Sequence, residues 1–162
     1  MLNIMTVKQF SESICQSGGH KELLRSLKSI SYCKAEAYAD CIEGIIRIPR
    51  KDISREPLLS FGFHMSRCDL TLISDDSGLR AYLEKHKNYI DETASPEKLL
   101  LLLMEKIIEE DVLYLSHIDM SMDEMEENLL SGNDDDFLHE LTKFRRKLSE
   151  LNAFYVQTEE LT

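Results

Sequence analysis

EEDVLYLSHIDMSMDEMEENLLSGNDDD, residues 109–136, decides the fold, because it is either a metal site or the acidic face of a long helix. From Glu105 to Asp136 there are twelve carboxylates and one base, Lys106. Leu101, Met104, Ile108, Asp111, Leu115, Ile118, Met122, Met125 and Leu129 step alternately by three and four, a heptad seam interrupted only by Asp111. Ser95-Pro96 starts this helix with a cap and a first-turn proline, and Gly132 supplies its stop. Asn133 or Asp134 caps a second helix, in which Phe137, Leu141, Phe144, Leu148, Leu151 and Tyr155 form a matching seam. Two seams joined by a loop of a few residues predict an antiparallel hairpin. Its charges agree: Asp119, Asp123, Glu124, Glu126 and Glu127 on the first helix, Lys143, Arg145, Arg146 and Lys147 on the second.

Most of the carboxylates therefore flank a seam or cap a helix. NDDD lacks the alternating ligands and closing glutamate of a calcium loop. Asp111 differs, because a carboxylate inside an apolar seam must be paired, hydrated or protonated. It is expected to meet Arg145, Arg146 or Lys147 across the hairpin, to reach solvent, or else to help set register or touch a cation, and it is a candidate metal ligand.

Upstream, residues 6–29 read as two short helices broken at Ser17-Gly18-Gly19. CKAEAYADC alternates as a half-exposed strand, which places Cys33 and Cys41 on one face, and IEGIIRIP continues or re-enters a sheet. KDISREP is a loop, LSFGFHMS and DLTLIS are two strands of a hairpin, and Asp75-Asp76-Ser77 caps a helix over residues 78–88. The expected division is a sheet-containing part, residues 1–92, and a helical part, residues 93–162, packed as one compact unit.

Composition narrows the function. Hydrophobic content of 43% with 30% charged residues predicts a soluble globular chain, and the longest apolar run, residues 99–104, is far too short for a membrane span. The net charge of −11 disfavours nucleic acid and permits cations. Four dispersed cysteines without CxxC predict reduced thiols and a cytosolic compartment. His20, His64, His86, His117 and His139 fall in no HxH, HExxH or GxSxG context, and Gly18-Gly19 is not a phosphate loop. No enzyme and no organic cofactor are expected, and the histidines read as surface or satisfied core residues.

The order of these features resembles the cytoplasmic domain of the CorA family of magnesium transporters, over roughly residues 32–161. The resemblance is most specific where EKIIEEDVLYLSHIDMSMDEMEENLL is followed by FLHELTKFRRKLSELNAFY, with Ile118-Asp119, acidic Glu126 and Arg145-Arg146-Lys147-Leu148 in similar order. KAEAYADCIEGIIRIP and FGFHMSRCDLTLISDD look like the family's strands. It implies an α/β/α sandwich with a mixed sheet, followed by the long antiparallel hairpin leading into a truncated stalk helix. It further implies a homo-oligomer, a pentamer in the full-length protein, at the cytoplasmic face of the membrane, which it would meet only through C-terminal helices beyond this sequence. Mg²⁺ or another divalent cation bound between subunits would hold the pore shut. The family's sheet-side sensor position falls near Tyr38-Ala39-Asp40, making Asp40 a second candidate ligand; Ala39 stands where an acid is expected. There is no Gly-Met-Asn signature. The implied function is a metal-sensing domain that does not itself conduct ions. The alternative is a stand-alone scaffold whose hairpin binds a partner helix.

Overall fold

A computed structural model describes residues 1–14, 20–49, 58–87, 94–132 and 137–160. Cys15, the Ser17-Gly18-Gly19 break, the loop at 51–57, the cap expected at Asn133 or Asp134, and the last two residues lie outside them. The chain forms β1 (Leu2–Met5), α1 (Val7–Ile14), α2 (Lys21–Ser29), β2 (Lys34–Ala37), β3 (Cys41–Pro49), β4 (Leu58–Ser66), β5 (Leu70–Ile73), α3 (Ser77–Lys87), α4 (Pro96–Leu130) and α5 (Phe137–Glu159). The sheet order is β1-β5-β4-β3-β2, with β1 parallel to β5 and every other pair antiparallel.

Alternation along the central strands divides the core in two. Ile46, Ile48, Phe61, Phe63, Leu70 and Leu72 face α3, α4 and α5, where they meet Leu79, Leu83, Leu99, Leu103, Ile107 and Phe154. Ile45 and Ile73 face the other way, against Phe10 of α1 and Leu23 of α2. The architecture is the α/β/α sandwich with a mixed sheet and helical hairpin that the resemblance implied. β3 and β4 read as apolar runs because both of their faces are covered.

Capping chemistry sets the helix starts. Thr6 and Gln9 form a reciprocal box: Gln9 N–H donates to Thr6 Oγ1 and Thr6 N–H to Gln9 Oε1. At the end of β5, Asp75 accepts from Val7 N–H at the start of α1, and Asp76 accepts from Leu79 N–H at the start of α3. Ser95 Oγ accepts from Lys98 N–H, and Gly132 ends α4 at φ +84°, a conformation that only glycine adopts cheaply.

One element was not foreseen and two expectations need correction. The first residues form β1, an edge strand of four residues, too short to show a period before the helix signal begins at Thr6. CKAEAYADC is not one strand: the chain turns at 38–40, where Tyr38 N–H donates to Cys41 C=O, and returns antiparallel as β3. Cys33 thus precedes β2 and Cys41 opens β3, both as free thiols. In α4 the buried stripe begins Pro96, Leu99, Leu103, Ile107, and Leu101 points outward at 62% exposure. A run of five leucines offers an apolar residue at every phase, and contact with the sheet chooses the phase.

Candidate metal centre

Glu43 and His64 are register partners on β3 and β4, and both point toward the α2 side of the sheet. His20 immediately precedes α2. Its side chain makes no capping hydrogen bond and reaches instead to Glu43, Nδ1 against Oε1. His64 Nδ1 lies 2.9 Å from the same oxygen. The two rings meet edge to face with centroids 4.7 Å apart, and Phe10 lies 6.0 Å from each. Glu43 is 4% exposed, and the histidine side chains are mostly buried.

Burial pushes the Glu43 carboxyl upward. The hydrogen bonds from His64 and His20, and the charge those rings can carry, outweigh it and hold the group below the usual carboxylate range. One ligand atom from each residue lies within 4.8 Å of the other two, the one such group of three among the described residues. Two imidazole nitrogens and one carboxylate oxygen match a three-ligand site whose remaining positions belong to water. Such water has access, because the group lines an open groove of about 570 Å³ together with Tyr38, Asp40 and Cys41.

Asp40, the sheet-side candidate, sits exposed in the β2–β3 turn and borders this groove, outside the group of three. Asp111 is 0% exposed, which excludes the solvent-reaching alternative, and it accepts a hydrogen bond from Tyr155 Oη at 3.0 Å. Burial, the Asp111 charge and that bond together push Tyr155 up to about 12. Of the hairpin positions, Ile118 and Leu151 are buried, and Leu115, Met122, Met125, Phe137 and Phe144 are half-buried. Leu129, Leu141 and Leu148 are exposed. The ion pairs described for α5, Lys143–Glu140, Arg146–Glu150 and Lys147–Glu150, join residues of the same helix.

The histidine cluster escaped the sequence reading, which took His20 and His64 as scattered. They lie 44 residues apart on different elements, and only the β3–β4 register and the docking of α2 unite them. One signal was available: Glu43 is a carboxylate inside IEGIIRIP, a strand apolar but for Glu43 and Arg47, which has to bury it against a partner.

No protein-family model matches the sequence, and neither does any curated protein. Solved structures do match in fold. The full-length CmaX protein superposes with a TM-score of 0.73 at 13% identity, over 99% of this chain and 52% of that one. The soluble domain of CorA from Methanocaldococcus jannaschii gives 0.70 at 18% identity, over 95% of this chain and 62% of that one. The complete CorA magnesium transporter from the same organism gives 0.71 at 17%, over 96% and 50%. The chain spans between half and three-fifths of the length of these structures, and over nearly all of its own length it has the fold of the CorA soluble domain.

Proposed function

We propose that this chain is the cytoplasmic regulatory domain of a CorA-like transporter of Mg²⁺ or another divalent cation, sensing the ion and not conducting it. The observation that carries this reading is the match to the soluble domain of CorA over 95% of the chain. No helix among the described residues is long and apolar enough to cross a membrane. The net charge of −11 suits a domain that meets cations.

Mg²⁺ is hard, keeps most of its water and binds through one or two carboxylates. Placed between copies of a homo-oligomer, a pentamer by the resemblance, it would offset carboxylate repulsion, and its loss would loosen the assembly. Asp40, exposed on the β2–β3 turn, is the residue best placed to contribute from the sheet side. Asp111 is enclosed beside Tyr155, where it suits holding the hairpin to its register.

A second reading, a scaffold that docks a partner helix, is favoured by the far end of the hairpin. There Met122, Leu141, Phe144 and Leu148 line an apolar groove, and Leu130 and Leu138 are 88% and 75% exposed. Mg²⁺ flux into liposomes carrying the protein encoded by the whole reading frame separates the two. Transport, with Mg²⁺ raising the melting temperature of the assembly, is expected. A reading frame without two apolar spans, or a melting curve indifferent to Mg²⁺, overturns the transporter reading.

A further inference from the structure

We propose that His20, Glu43 and His64 form a site for a borderline transition ion of the Zn²⁺ class, built entirely within one copy of the chain and chemically distinct from a Mg²⁺ sensor. The donor set argues for the ion. Mg²⁺ asks for oxygen ligands, whereas imidazole pairs with a single carboxylate suit Zn²⁺, Co²⁺ and Ni²⁺. Both rings turn the same nitrogen, Nδ1, toward the same oxygen, Oε1 of Glu43, so three potential ligand atoms gather within 4.8 Å of one another.

Each donor is held by structure that does not depend on an ion. Glu43 and His64 are fixed by strand register, and His20 by its position at the head of α2. Phe10 packs against both rings and limits their rotation. His20 forgoes the capping role usual at its position. With an ion bound, each Nδ1 turns its lone pair to the metal. The one remaining ring proton then resides on Nε2, and a ring that was doubly protonated releases its Nδ1 proton to water. Water entering from the groove completes the coordination.

Occupancy would tie three elements at one point: the start of α2, β3 and β4. Arg47 already fastens the other end of α2 to β3, its Nη2 donating to Ile30 C=O and to Leu27 C=O. The ion would therefore complete a clamp on α2 and stiffen the groove that Asp40 borders. The proposal does not rest on the transport reading, because binding by the chain alone is decided whether or not the protein moves Mg²⁺.

The test loads the chain with Zn²⁺ in calorimetry, with Co²⁺ in visible absorption, and with Zn²⁺ in imidazole ¹H–¹⁵N spectra. One ion per chain is expected, retained in a large excess of Mg²⁺, with the nitrogen shifts of two of the five histidines, His20 and His64, perturbed. His20→Asn, His64→Asn and Glu43→Gln, each with an unchanged circular dichroism spectrum, are expected to lose at least about 10- to 100-fold in affinity, the scale that even an outer-shell partner commands. Absence of binding, displacement by equimolar Mg²⁺, perturbation of His86, His117 or His139 instead, or full affinity in a folded His20→Asn/His64→Asn double variant would overturn it. The imidazole spectra of the unaltered chain decide the matter even if a variant fails to fold.

Discussion

Glu43 and Arg47 stand four residues apart on one face of β3 and hold the two ends of the same helix. Glu43 takes His20 at the head of α2, and Arg47 donates to the Ile30 and Leu27 carbonyls at its tail. The signs suit the helix dipole, with a carboxylate at the positive end and a guanidinium at the negative end. Between them Ile45 packs in the small core with Leu23 and Leu27, and Leu27 lies over Gly62. A nine-residue helix has little area to bury, so these polar ends fix its position.

Arg47→Met is expected to loosen α2 while keeping the side-chain stem packed. Loss of the charge-assisted bonds to two carbonyls should cost about 1.5–3 kcal/mol. Amide exchange should accelerate in α2 well before it does in β4. An unchanged denaturation midpoint would show that the tail of α2 is held by packing alone.

Of the two glycines in the described strands, Gly44 is the more tightly enclosed. A Cβ there would lie 2.4 Å from the Lys34 carbonyl oxygen and 2.4 Å from the ring of buried Phe63. Neither backbone nor an enclosed ring can yield cheaply, so Gly44→Ala is expected to reach or exceed the top of the usual overpacking range of about 1–3 kcal/mol. At Gly62 the added carbon would first meet the Leu27 side chain, at 3.0–3.3 Å. Gly62→Ala should therefore be the milder change, felt as a displacement of α2. Urea midpoints of the two variants should fall in that order, and the reverse order would refute it.

The hairpin should carry its stability at its base and little at its tip. Phe154 is 3% exposed and belongs to the main core, whereas Leu138 is 75% exposed. Phe154→Ala is expected to cost about 3–5 kcal/mol. Leu138→Ala should stay within about 0.5 kcal/mol in the isolated chain, as surface changes do. Comparable losses at both positions would mean that the tip is packed as tightly as the base.

How much of this was legible depends on whether the determinant was local. The Ser95-Pro96 start, the Gly132 stop and the hairpin near Cys68 are local chemistry, and all three stand where the residues placed them. The phase of α4 was not legible at its start, because Leu99 to Leu103 are all leucine and the sheet selects which of them turn inward. β1 was hidden by its length, since four residues show no period and their partner, β5, lies some 68 residues away. The histidine site failed for the same reason, as its three members come from three elements. A buried glutamate in an apolar strand announces that a partner exists without saying which residue supplies it.

Asp111 and Tyr155 give the last prediction, because their pairing couples hairpin register to pH. Asp111 is fully enclosed in α4, and the Tyr155 hydroxyl of α5 donates to it at 3.0 Å. Burial, followed by the Asp111 charge and the hydrogen bond, raises Tyr155 from 10.0 to about 12. A raised value means that the folded state favours the protonated phenol. The stabilising contribution is therefore complete below pH 10 and is lost as pH climbs through about 12. At neutral pH, Tyr155→Phe is expected to cost about 1.5–3 kcal/mol, the range of a hydrogen bond to a charged group. Across the alkaline window the unaltered chain should lose stability faster than the variant, so the gap between them narrows. Asp111→Asn, which removes the charge, should bring the ultraviolet-detected ionisation of Tyr155 back toward 10. Parallel stability curves for the chain and for Tyr155→Phe through that window would show that the phenol and the carboxylate are neighbours without being coupled.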